Sequence, residues 1–161
     1  MITGKEDLLR ALIEAFLMEK GTNLFYDHAA SKAENPEARK TFQALTAWEE
    51  KHMDYIQHLY MAIQGDQDVE GFEAFQSKTA APLTEGGIPV RDLESKIETY
   101  TFSGDSGAYD IALGIEAKAY NLYRRLSEGA ADANARVVFL EMMEQEQKHI
   151  DYLKKTRGGV A

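Results

Sequence analysis

An internal repeat constrains this chain more than any other feature. Displaced by 97 positions, the second half lies on the first without a gap: Glu19 meets Glu116, Tyr26 meets Tyr123, Arg39 meets Arg136, Phe42 meets Phe139 and Glu49 meets Glu146. Lys51, His52, Asp54 and Tyr55 likewise fall on Lys148, His149, Asp151 and Tyr152. Self-similarity at a fixed displacement is the mark of a duplicated supersecondary unit that buries its apolar side against its copy. Two equivalent pieces are therefore expected to face each other.

Each piece reads as a helical hairpin. Leu8, Leu9, Leu12, Phe16 and Tyr26 recur at helical intervals behind Thr3 and Glu6, which have the spacing of a capping box. Asn35-Pro36-Glu37 then has the form of a helix start: an N-cap side chain, a proline pre-set for the first turn and an acid near the positive end of the helix dipole. Asp132 repeats the cap in the second half, and Gly65 stops the second helix. These signals predict helices over roughly 3–30, 35–64, 105–128 and 132–157. Residues 65–104 gather Gly71, Pro82, Gly86, Gly87, Pro89 and Gly104, with helix-compatible pieces near 69–78 and 90–100, and read as a long crossover. Strand signals are nearly absent. The expected fold is all-α, a single domain over 1–161, in which two pseudo-symmetric hairpins joined by one long connection form the ferritin-like variant of the four-helix bundle.

The repeat also carries the polar residues that matter. Each half supplies one lone glutamate on its first helix, Glu19 or Glu116, and Glu-x-x-His on its second, Glu49 with His52 or Glu146 with His149. The i, i+3 spacing puts carboxylate and imidazole on one helical face, within reach of one ion. They lie on apolar seams: Phe42, Leu45, Glu49, His52, Ile56 and Leu59 in one helix, Phe139, Met142, Glu146, His149 and Leu153 in its copy. Four carboxylates in a bundle interior cost several kcal/mol each unless protonated, paired or bound to cations, and the seams hold no Lys or Arg. Two divalent ions would balance four carboxylates and leave two neutral imidazoles to complete the coordination. One lone Glu and one Glu-x-x-His from each half is the di-iron and di-manganese pattern of ferritin-like bundles. Glu49 and Glu146 are candidates to bridge, and Glu19 and Glu116 to bind terminally, with one histidine per ion.

Composition narrows the alternatives. A net charge of −9 without a basic cluster opposes nucleic-acid binding, and there is no uncharged apolar run long enough to span a bilayer. The absence of cysteine excludes disulfides, thiolate catalysis and cysteine-ligated iron, so any metal sits among oxygen and nitrogen donors. Acid appears by Glu6 and Asp7, too early for a secretory signal, and the protein is read as cytoplasmic.

With these residues in place, the chain resembles the rubrerythrin branch of the ferritin-like superfamily over both hairpins. The resemblance implies that Glu19, Glu49, His52, Glu116, Glu146 and His149 are iron ligands and the catalytic set. It implies a cytoplasmic homodimer that oxidises iron at the expense of peroxide or dioxygen, with manganese or zinc as other metals such donors accept. Rubrerythrins proper carry a cysteine-rich rubredoxin domain that feeds electrons to the iron. This cysteine-free sequence has none, which implies an external electron-donor protein. Many members also place a further Glu three residues after the third-helix ligand; here Ala119 stands there, with Thr22 at its counterpart.

Besides a di-iron oxidoreductase, two readings stay open: a protein that binds, stores or delivers iron without turnover, and a metal-free helical interaction module. Tyr26 and Tyr123, seven residues beyond the lone glutamates, are read as core packing in preference to hydrogen-bond donors for the carboxylates. Trp48 is read as an interhelical or dimer contact, His28 and His58 as off-seam groups outside the site, and Glu141 and Glu144 as a solvated face.

Overall fold

The computed structural model describes residues 4–65, 72, 74 and 102–159. Among them run four long helices and no strand: α1 (Lys5–Lys32), α2 (Pro36–Gln64), α3 (Gly104–Gly129) and α4 (Ala133–Arg157). The all-α, four-helix expectation holds, with ends displaced by one or two residues. Most of the expected crossover, its two helix-compatible pieces included, lies outside the described residues. So does Thr3 of the proposed capping box; the cap position of α1 is held by Gly4, without a side-chain cap.

The duplicated caps form as the sequence suggests. The Asn35 side chain accepts from the Glu37 backbone N–H at 2.8 Å ahead of Pro36, and Asp132 accepts from the Ala135 N–H at 2.9 Å. Each satisfies one of the donors that a helix start leaves without an intrahelical partner. Duplicated arginines close the hairpin turns, Arg39 donating to the Ala33 carbonyl at 2.8 Å and Arg136 to the Ala130 carbonyl at 3.0 Å. At the start of α3, Gly104 has φ +69°, a left-handed conformation that costs glycine little. The two hairpins are tied there: the Asp105 carboxylate accepts from the backbone N–H groups of Glu34 and Asn35 at 3.1 and 2.8 Å.

Helix α1 packs mainly along α2 and α3 along α4, as antiparallel neighbours joined by short turns do. The core divides into two apolar layers. One holds Leu12, Phe16, Ile56, Leu59, Tyr123, Phe139 and Met142, and the other Phe25, Tyr26, Phe42, Leu45, Tyr109 and Leu153. On every helix the six polar candidates fall between these layers, so the fold closes apolar packing above and below one charged stratum. No helix among the described residues is long and apolar enough to cross a membrane.

Candidate metal centre

All six candidates converge and are removed from solvent: Glu49, Glu116 and Glu146 are 0% exposed, Glu19 and His52 1%, and His149 3%. Periodicity explains the burial, since the seams of α2 and α4 stay inward along their length and carry the Glu-x-x-His pairs with them.

The contacts cross between hairpins. His52 Nδ1 lies 3.1 Å from Glu146 Oε1 and 3.7 Å from both Glu19 Oε1 and Glu49 Oε2. His149 Nδ1 lies 3.1 Å from Glu49 Oε1, 3.3 Å from Glu116 Oε1 and 3.6 Å from Glu146 Oε2. Glu49 and Glu146 therefore each turn one oxygen toward each imidazole, whereas Glu19 approaches only His52 and Glu116 only His149. The rings of His52 and His149 stack at 4.8 Å between centroids.

These approaches are close without being hydrogen bonds. Both oxygens of Glu49 and of Glu146, Glu116 Oε2 and the Nδ1 atoms of both histidines are buried and lack a hydrogen-bond partner. Orphaned buried polar atoms cost about 1–3 kcal/mol each, and more when charged, so seven facing one another need a common partner. A metal ion is such a partner. Two donors each about 2.1 Å from one ion and at right angles lie about 3.0 Å apart, and about 3.4 Å apart in a tetrahedron. The three shortest donor separations, 3.1, 3.1 and 3.3 Å, fall in that range, and the other three exceed it by a few tenths of an ångström. Glu49, His52, Glu146 and His149 can each bring one donor atom within 4.8 Å of all the others. Hard carboxylates with imidazoles suit iron, manganese or zinc.

Without cations the cluster balances its charge with protons. Burial, then the neighbouring charges of Glu19 and Glu146, raises the Glu49 carboxyl well above its ordinary range. Burial and the Glu146 charge raise Glu116 to about 8, and burial with the Glu19 charge raises Glu146. For Glu19 burial acts in the same direction, but the neighbouring Glu49 and His52 side chains and the Tyr123 hydroxyl together outweigh it and bring the carboxyl to about 2. Burial would lower His149, yet its carboxylate neighbours Glu116, Glu146 and Glu49 hold it well above the usual imidazole range. Raised carboxyls beside a raised imidazole are what a cation site with protons in place of cations should show.

The structure overturns one reading from the sequence. Tyr26 and Tyr123 are not simply packed: the Tyr26 hydroxyl donates to Glu116 Oε1 and the Tyr123 hydroxyl to Glu19 Oε1, both at 2.5 Å. Each tyrosine steadies the lone glutamate of the opposite hairpin, as outer partners orient ligand carboxylates. The seven-residue step was the legible signal, but it showed only the tyrosine's own face; its partner lies 90 or 104 positions away. Trp48 is an interhelical contact as expected, and the site is its neighbour: its ring stacks on His149 at 5.5 Å and meets Tyr152 edge-on at 4.9 Å. His28 and His58 lie outside the cluster, His28 against Phe102 at 5.6 Å. Thr22 and Ala119 are buried, the Thr22 hydroxyl donating to the Met18 carbonyl at 2.8 Å, so neither position adds a carboxylate.

Two contacts had no signal in the helical periodicity. Phe72, between α2 and α3, is buried edge-on against His52 at 5.4 Å and Tyr55 at 5.1 Å. Its backbone N–H donates to Glu141 at 2.8 Å, so Glu141 is not merely part of a solvated face. Beside Phe72 a cleft of about 440 Å³ reaches the histidine side of the cluster.

Fold and centre together define a class: a four-helix bundle with a buried carboxylate–histidine cluster suited to holding metal. The chain belongs to the rubrerythrin family, whose model matches residues 10–155. Two solved structures share the fold. A two-domain protein from Anabaena variabilis with DJ-1/ThiJ/PfpI-like and ferritin-like domains superposes with a TM-score of 0.67 at 18% identity over 99% of this chain, which spans 39% of that protein's length. A ferritin-like, diiron-carboxylate protein from Bacillus anthracis superposes with a TM-score of 0.56 at 19% identity, covering 94% of this chain and 95% of its own. No curated protein matches the sequence.

Proposed function

We propose that the protein is a non-haem di-iron oxidoreductase that reduces peroxide or dioxygen, with Glu19, Glu49, His52, Glu116, Glu146 and His149 as its ligands. The observation that carries this reading is the split orientation of Glu49 and Glu146, each with one oxygen toward each imidazole. That arrangement suits two ions sharing two carboxylates, each completed by one histidine and one lone glutamate. Two Fe(II) ions held there would supply the two electrons that, with two protons, convert one hydrogen peroxide to two waters.

The rest falls to the protein. Tyr26 and Tyr123 fix the lone glutamates through Oε1, the oxygen of each that also faces a histidine of the cluster. The apolar layers on either side keep bulk water from the carboxylates, which strengthens their hold on cations. Glu116, which holds its proton up to about pH 8 when no cation is bound, releases it as ions enter. Reductant from an external donor protein and assembly as a homodimer belong to the same proposal, as does residence in the cytoplasm.

The test is anaerobic titration with Fe(II) followed by peroxide. We expect about two Fe(II) bound per chain and about one peroxide consumed per two Fe(II) oxidised, faster than by free iron. Binding without such oxidation would replace the enzyme reading with iron handling. Failure to bind, with Glu49→Ala or His149→Ala changing nothing, would leave only a helical interaction module.

A further inference from the structure

The cleft beside the cluster is larger than peroxide or dioxygen requires. Its volume of about 440 Å³ falls within the roughly 300–1,000 Å³ typical of small-molecule sites, whereas a two-oxygen molecule has only two heavy atoms. Three of its walls are aromatic: Trp48, Phe72 and Tyr152. Its inner side is formed by the buried His52 and His149, and its outer side includes the exposed lysines Lys51 and Lys148.

The charge of this lining runs against that of the molecule. In a chain of net charge −9, the described residues that line the cleft include two lysines and no carboxylate. Neither lysine makes an ion pair or a hydrogen bond among the described residues, in contrast to Arg39, Arg136 and Arg157, which serve turn carbonyls or Asp110. The two lysines are a duplicated pair, each one residue before a histidine of the cluster, so the repeat that brings the imidazoles together also brings both ammonium groups to the same opening. The aromatic walls break the symmetry. Trp48 corresponds to Gln145, and Phe72 has no counterpart at all because it comes from the segment between the hairpins.

Cations at the mouth, aromatic surface within and metal donors at the base call for a ligand with an anionic head and an apolar body. We infer that this cleft binds an organic carboxylate, its head at Lys51 and Lys148 and its body along Trp48, Phe72 and Tyr152, beside the histidine edge of the cluster. This deepens the proposed function by giving the site an organic ligand, and rests on that reading only for the presence of metal behind the histidines.

The chain's single tryptophan lines the cleft, so its emission reports occupancy without turnover. The full-length protein, with metal content measured in the same sample, is titrated with octanoate, 1-octanol and inorganic phosphate. Octanoate is expected to change Trp48 emission saturably, with 1-octanol and phosphate at least about tenfold weaker. The double substitution Lys51→Gln/Lys148→Gln should weaken octanoate by roughly tenfold while leaving metal content and the thermal melt unchanged. No saturable response to octanoate, equal affinity for octanol or for phosphate, or an undiminished response in the double variant would each overturn the assignment. Protein that takes up octanoate but no metal keeps this site and refutes the di-iron reading. Protein that takes up metal but no octanoate does the reverse.

Discussion

Replacing Glu116 with glutamine should make the metal-free protein more stable while weakening its hold on metal. In the metal-free fold Glu116 takes a proton up to about pH 8, against an ordinary value of 4.5, because burial and the Glu146 charge penalise its ionised form. The native state therefore binds one more proton at this position than the unfolded chain between those two values, and stability falls as pH rises across that window. At pH 7 the span above 4.5 is about 2.5 pH units at about 1.36 kcal/mol each, roughly 3 kcal/mol of instability; above pH 8 the figure levels off near roughly 5 kcal/mol. Glutamine has the same shape, can still accept the Tyr26 hydroxyl through its amide oxygen, and has no proton to take up. Chelator-treated Glu116→Gln should then melt roughly 6–12 °C above the parent at pH 7, at about 2–4 °C per kcal/mol for a chain of this size. Near pH 4.5 the difference should vanish. Thermal or urea unfolding of both proteins from pH 4.5 to 8.5 measures it. A gap that does not widen with pH, or a variant less stable than its parent at pH 7, would refute the claim that this carboxylate is held inside the fold at an electrostatic cost.

The tyrosines should act one ion at a time: Tyr123→Phe is expected to weaken the ion beside Glu19 and His52, and Tyr26→Phe the ion beside Glu116 and His149, each by about 10–100-fold, read as loss of one phase in a stepwise metal titration. Metal uptake should release protons and tighten with pH up to about 8, because Glu116 must lose its proton; calorimetry in buffers of different ionisation enthalpy measures this, and pH-independent affinity would contradict it. Asn35→Ala and Asp132→Ala should each destabilise the fold by about 1 kcal/mol through loss of an N-cap bond, and by similar amounts in urea unfolding, since the two caps are copies.

Much of the fold was legible because its causes are local. Asn35-Pro36 and Asp132 mark helix starts through bonds that reach two or three residues, Gly65 ends a helix, and the seam through Phe42, Leu45, Glu49 and His52 follows from 3.6-residue periodicity; all four of those seam residues are buried. The six cluster residues were legible for a second reason. Duplication places like residues at like heights, so once each seam turns inward, both Glu-x-x-His pairs must meet in the same stratum. Gly4 shows the limit even of local reading, taking the cap position beside a threonine and glutamate that have capping-box spacing.

Tertiary structure alone decided how the stratum is wired. Periodicity gives the face on which Tyr26 lies, but its donation to Glu116 depends on how one hairpin is docked on the other. The same docking turns the two oxygens of Glu49 toward different histidines and lays Trp48 over His149. It also makes a single opening from Lys51 and Lys148, and Phe72, which belongs to neither hairpin, adds its ring to the wall. A sequence states which groups share a helix face, because that is set by bonds a few residues long. Which groups touch across some ninety positions is set by the packing of whole faces, and emerges only when the faces are assembled.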